Sequence, residues 1–220
     1  MAGRGRAARR SVRRVLRSRL ALPLLVALPA LVIAAAGLAH PVLLTPDTAE
    51  RWRLAHLVLL LAFPLLAGSV LVLLRGERGL AAWGARGLAV VYAVLYGALD
   101  AIAGIGAPQQ VLGAQRRGEP GPPIGDLYEI GDRLGALGVY AFAAAGALTA
   151  LVLYLRTRSP LALGGGAVVV LASYPFLLHH VFPPRGVLAL VVIAVGLGLL
   201  EVSRTTARRP GRTPEAAAHR

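Results

Sequence analysis

The chain has 220 residues, of which 56% are hydrophobic and 15% charged, with a mean hydropathy of +0.66 and a net charge of +14. A soluble domain of this size carries about a quarter charged residues, so the composition argues against a water-soluble globule. Cysteine is absent, which excludes disulfides, thiolate metal sites and Cys nucleophiles. Lys and Asn are absent too, and Arg supplies all 24 basic charges. Because Lys and Asn codons are AT-rich, that bias points to a GC-rich, bacterial genome.

Residues 1–19 form a basic tail with eight Arg. Roughly 18 apolar residues suffice to cross a ~30 Å hydrocarbon core. Six such windows follow, at about 20–39, 55–74, 87–106, 134–155, 160–181 and 186–202. Lipid offers no partner to a free N–H or C=O, so the spans are expected to be helices, and the strict alternation of a barrel is missing. The Arg-rich start, the apolar run and AAAGLAH resemble a signal peptide, but the run exceeds a usual h-region and the first span is read as retained.

In TPDTAERW, Thr45 is the expected N-cap and Pro46 the first helical residue of the second helix. Residues 107–125 read as the longest loop, with GEPGPP as a stiff stretch and a lid as one role for it. Asp126 and Glu129 stand at capping-box spacing before the fourth span. Pro23, Pro29, Pro64 and Pro175 fall inside spans, and Gly97 with Ala101, Gly135 with Gly138, and Gly164–Gly166 are candidate close-packing positions. The segment 204–220 reads as a disordered basic tail, leaving 20–203 as the membrane domain.

Charge placement sets a direction. The two tails and the loops at 75–86 and 156–159 hold eighteen Arg against Glu77, Glu201 and Glu215. The opposite side has six Arg against seven acids. The positive-inside rule then puts both termini in the cytoplasm. The expected architecture is an all-α, six-helix polytopic bundle of the bacterial inner membrane, N-in and C-in. Its partners are the bilayer and anionic headgroups on the cytoplasmic side. No basic stripe interleaved with aromatics is present, so nucleic acid is not an expected partner.

His219 falls in the C-terminal tail, whereas His40, His56, His179 and His180 all fall at the outer ends of spans. The first, third and fifth spans point their C-termini outward, so His40, Asp100 and the histidine pair lie near negative helix ends, where a cation is favoured. Asp100 is the strongest single signal, because an Asp inside a span costs about 2.5–3.5 kcal/mol on insertion scales and faces the bundle interior. Tyr92 and Tyr96 precede it at steps of four and share its face. Imidazoles and a carboxylate suit zinc or iron, with Asp100 as the base for an activated water. A b-type haem between His40 or His56 and one of the pair is the redox variant.

His179 and His180 diverge by about 100° on a helix, so both reach one site only if the helix ends there. The plainer reading of Asp100 is a structural bridge to Arg133 or Arg185. Three function classes follow: a metal- or haem-binding protein with His40, His56, Asp100, His179 and His180 as ligands; a transporter-like component using Asp100, Tyr92 and Tyr96 as a proton or substrate path; and an accessory subunit.

Overall fold

The computed structural model describes the backbone of residues 3–206 and the side chains of residues 21–205. Its elements are α1 (Gly3–Leu38), α2 (Ala49–Leu73), α3 (Leu80–Leu99), a π-helical segment (Asp100–Gly106), α4 (Ala107–Arg117), α5 (Gly125–Thr157), α6 (Pro160–His179) and α7 (Arg185–Thr206). No strand occurs among the described residues. Six helices are long and apolar enough to cross a membrane, the third being the continuous run Leu80–Arg117. Large apolar side chains such as Leu25, Leu61, Val94, Leu137, Leu171 and Leu188 are exposed around the bundle. That exterior suits lipid, since water-soluble monomers rarely expose contiguous apolar surface on this scale.

The six spanning helices run up and down, each packed on the next in sequence, and α1 closes the ring against α7. Glycines set the closest approaches. On α5, Gly131, Gly135 and Gly138 are sockets for Ala103, Leu99 and Tyr96: a Cβ at Gly135 would lie 2.1 Å from Leu99 Cδ1, and one at Gly131 2.7 Å from Ala103 Cβ. Small residues let backbones approach where lipid removes the hydrophobic drive between helices. Gly165 does the same against Gly196 of α7, whereas Gly97 and Gly164 face open space and take no part.

Three local expectations are corrected. Residues 107–117 are helical, so the long loop shrinks to 118–124, the GEPGPP stretch with one residue more. Ala, Gln, Leu and Arg sustain α4, and its buried Pro108, Val111 and Ala114 lie on the face turned to α2. The second helix begins at Ala49 with Thr48, not Thr45, at its N-cap; the Thr48 hydroxyl accepts from the Thr45 N–H at 2.8 Å and lies 2.7 Å from the Leu43 carbonyl. A side chain that ties the preceding turn together displaces the cap by three residues. Asp126 and Glu129 form no capping box, because Glu129 pairs with Arg133 one turn on. The chain beyond residue 206, with most of the expected basic tail and His219, lies outside the described residues.

At one end of the bundle, Arg75 pairs with the fully buried Glu201, Arg156 with Glu77, and Arg204 donates to the Leu73 carbonyl at 2.7 Å. These contacts tie the α2–α3 turn to α5 and α7. The opposite end holds the histidines.

Candidate functional site

Residues from four separate stretches meet at that opposite end. His40 follows α1, His56 lies two turns into α2, Asp100 opens the π-helical segment, and His180 caps α6. Asp100 is fully buried, and His56 and His40 nearly so. The π segment makes room: a Cβ at Gly104 would stand 2.2 Å from His56 Nδ1. A wider helical turn and a missing side chain together admit the imidazole beside Asp100. Such single π turns recur at functional sites, and nothing in the hydropathy pattern reveals this one.

Hydrogen-bond partners fix most of the protons. The Pro41 carbonyl accepts only, so His40 Nδ1 is protonated and donates to it at 2.7 Å. Burial, then the neighbouring His56, hold the pKa of His40 down at about 4, so its Nε2 is bare at neutral pH and accepts from His56 Nε2–H at 2.9 Å. His56 Nδ1 lies 2.5 Å from Asp100 Oδ1, and a single proton is shared across that contact. Whichever atom holds it, the His56–Asp100 pair is neutral. The Asp100 partner is thus an imidazole, and neither Arg133 nor Arg185 bridges to it: Arg133 pairs with Glu129.

The adjacent histidines separate as the helix-end condition requires. His179 ends α6, and His180 takes a positive φ of 48° that turns its ring into the bundle, where Nδ1 lies 2.6 Å from the Tyr96 hydroxyl. Burial keeps the His180 imidazole well below its usual pKa and hence neutral. Its ring stacks on His56 with centroids 5.8 Å apart and planes within 7°. Tyr92 is buried against Phe142 and Tyr96, and its hydroxyl has no partner; neither Tyr is hydrogen-bonded to Asp100.

The five expected ligands do not converge on one ion. His40 and His56 face each other through their Nε2 atoms, whereas Asp100 lies on the Nδ1 side of His56, and His180 Nδ1 is taken by Tyr96. Among the described residues, no group of three or more His, Asp or Glu side chains is arranged to hold a metal ion. Parallel stacking of His56 and His180 presents ring faces to each other, whereas a shared haem iron needs two nitrogens pointing at it.

Beside this network lies a cavity of about 490 Å³. Its inner wall includes His56, Tyr96, Gly104 and His180, and its outer wall Trp52, Tyr128, Asp132 and Phe182. Asp132 is exposed at the rim of the cavity. Trp52 is buried between His40 and His56, with ring centroids at 4.5 and 5.8 Å. No protein-family model, curated protein or solved structure matches the chain.

Proposed function

We propose that the chain is a multi-pass protein of the bacterial inner membrane, with both termini cytoplasmic, whose outer end is an acid–base site for a small molecule held in the cavity. Asp100, His56 and His40 form a proton relay that meets the cavity at His56, the member of the three that lines it. The observation that carries this reading is the unbroken series of contacts Asp100–His56–His40, at 2.5 and 2.9 Å, in a buried setting. Transfer of one proton from Asp100 to His56 Nδ1, with the His56 Nε2 proton passing to His40, leaves a carboxylate, a neutral His56 and an imidazolium at His40. Every bond broken is replaced, and no heavy atom needs to travel.

Low dielectric favours such a relay, because the charge separated by each transfer is felt strongly by the adjacent ligand. The relay is one-sided. Below Tyr92 the buried hydroxyls of Thr149 and Ser173 are bonded to carbonyls of their own helices, and the surrounding core is apolar. That favours proton exchange with a ligand at the outer end over conduction through the bundle. Asp100 therefore keeps the acid–base role expected of it, with His56 and His40 as partners in place of a metal. Tyr96 positions His180.

The test is nitrogen-15 NMR of labelled histidines in bilayers, for the wild type and Asp100→Asn. The expected result is a His56 Nδ1 signal typical of a shared proton, collapsing to a neutral Nε2–H tautomer in Asp100→Asn and shifting together with His40 on titration. A His56 signal unaffected by Asp100→Asn, or His40 and His56 titrating independently, overturns the relay.

A further inference from the structure

The chemistry of the cavity wall narrows what it holds, taking the cavity as the ligand site proposed above. Of the side chains lining it, only Asp132 and Leu178 are exposed. Asp132 lies near the start of α5 and Leu178 near the end of α6, so the mouth opens sideways between these two helices. Leu178 is 57% exposed and belongs to the apolar exterior. A molecule dissolved in the outer leaflet therefore reaches the mouth without crossing water.

Three features of the wall act on charge in the same direction. Asp132 forms no ion pair with any described residue, and it is the single formal charge among the lining side chains that has no counter-charge beside it. The last turn of α6, Leu177 to His179, also lines the cavity, and a helix C-terminus carries partial negative charge. Trp52, Tyr96, Tyr128 and Phe182 supply aromatic rings, whose faces attract cations within about 6 Å. No Arg lines the cavity; of its three lining imidazoles, His180 is neutral, His56 belongs to a pair without net charge, and His179 stands at the end of α6.

From this placement we infer that the cavity binds a lipophilic organic cation, an amine or quaternary centre with an apolar body, with Asp132 as its counter-ion and the aromatic wall around it. The expected orientation puts the cationic centre between Asp132 and the end of α6 and the apolar body toward the Leu178 opening. An anion of the same size meets a carboxylate and a negative helix end and is rejected.

The experiment compares tetraphenylphosphonium with tetraphenylborate, which share a shape and differ in charge sign. Partitioning is measured by equilibrium dialysis into nanodiscs holding the full chain, each corrected with empty nanodiscs. Saturable phosphonium binding at one site per chain, absent for the borate, is the expected result. Asp132→Asn should weaken it about tenfold, and Trp52→Leu by a comparable factor. Both variants are checked for folding by thermal unfolding in the same nanodiscs. Equal binding of the two ions, no excess over empty nanodiscs, or full phosphonium affinity in folded Asp132→Asn each overturns the inference. Those results leave the histidine spectrum of the relay untouched, so failure of the cation site and failure of the relay are read separately.

Discussion

His40 shows how a single residue here couples protonation to folding. Its ring lies between Trp52, His56 and Phe182, with centroids at 4.5, 4.9 and 5.0 Å, and its Nδ1–H is held by the Pro41 carbonyl. A free imidazole titrates near 6.5, whereas this one is lowered to about 4. Above pH 6.5 both folded and unfolded chains keep it neutral. As pH falls from 6.5 to 4, the unfolded chain binds a proton that the folded chain refuses, so stability drops by up to about 3 kcal/mol and then levels off. Denaturation midpoints in detergent from pH 7.5 to 4 are expected to show this fall in the wild type and a flatter profile in His40→Gln. An equally steep profile in His40→Gln would assign the acid sensitivity elsewhere. The sequence placed His40 at a helix end but gave no sign that its side-chain hydrogen-bond partner, sixteen residues away, is another imidazole.

At the scale of elements, the α3–π–α4 run decides the site. A plain α-helix through residue 104 with any side chain there would drive a Cβ into His56. Gly104→Ala is therefore expected to cost about 1–3 kcal/mol by overpacking and to disturb the His56–Asp100 contact at the same time. Gly97→Ala, one helical segment earlier, meets nothing within 4 Å and should be neutral or slightly stabilising through helix propensity. Thermal unfolding of the two variants, together with the histidine spectrum, separates a packing defect from a loss of the relay. Spans were legible from hydropathy because burial in lipid demands a long apolar run. The π segment was not, since it preserves that run and changes only the register after Asp100. The displaced cap at Thr48 and the helical 107–117 stretch escaped for a related reason: both depend on contacts with α2 and the preceding turn rather than on local pattern.

At the scale of the whole molecule, the two ends of the bundle differ in kind. One end is clamped by Arg75, Arg156 and Arg204 on Glu201, Glu77 and a helix-end carbonyl; the other carries imidazoles, aromatics and the cavity. The Arg excess at the clamped end predicts that it faces the cytoplasm. Because the chain has no cysteine, single reporters are clean. Glu119→Cys, on the histidine side, is expected to react with a membrane-impermeant maleimide in intact cells, and Arg78→Cys only after lysis. The reverse pattern would invert the orientation and place the cavity on the cytoplasmic side.

By itself the sequence determined the helical class, the six apolar helices, the charge asymmetry between the ends and the placement of His40, His56, His179 and His180 at the ends of apolar runs. Each of these follows from composition and local order, because hydrophobic length and Arg placement are properties of the chain before it folds. Only the tertiary structure decided which groups pair: Asp100 with His56 rather than an Arg, His40 with His56 rather than an ion, and His180 with Tyr96 while His179 stays at the helix end. Pairing depends on helix rotation and on the π turn at Asp100, and both are set by the glycine sockets of α5 and by Gly104 against His56, contacts between residues far apart in sequence.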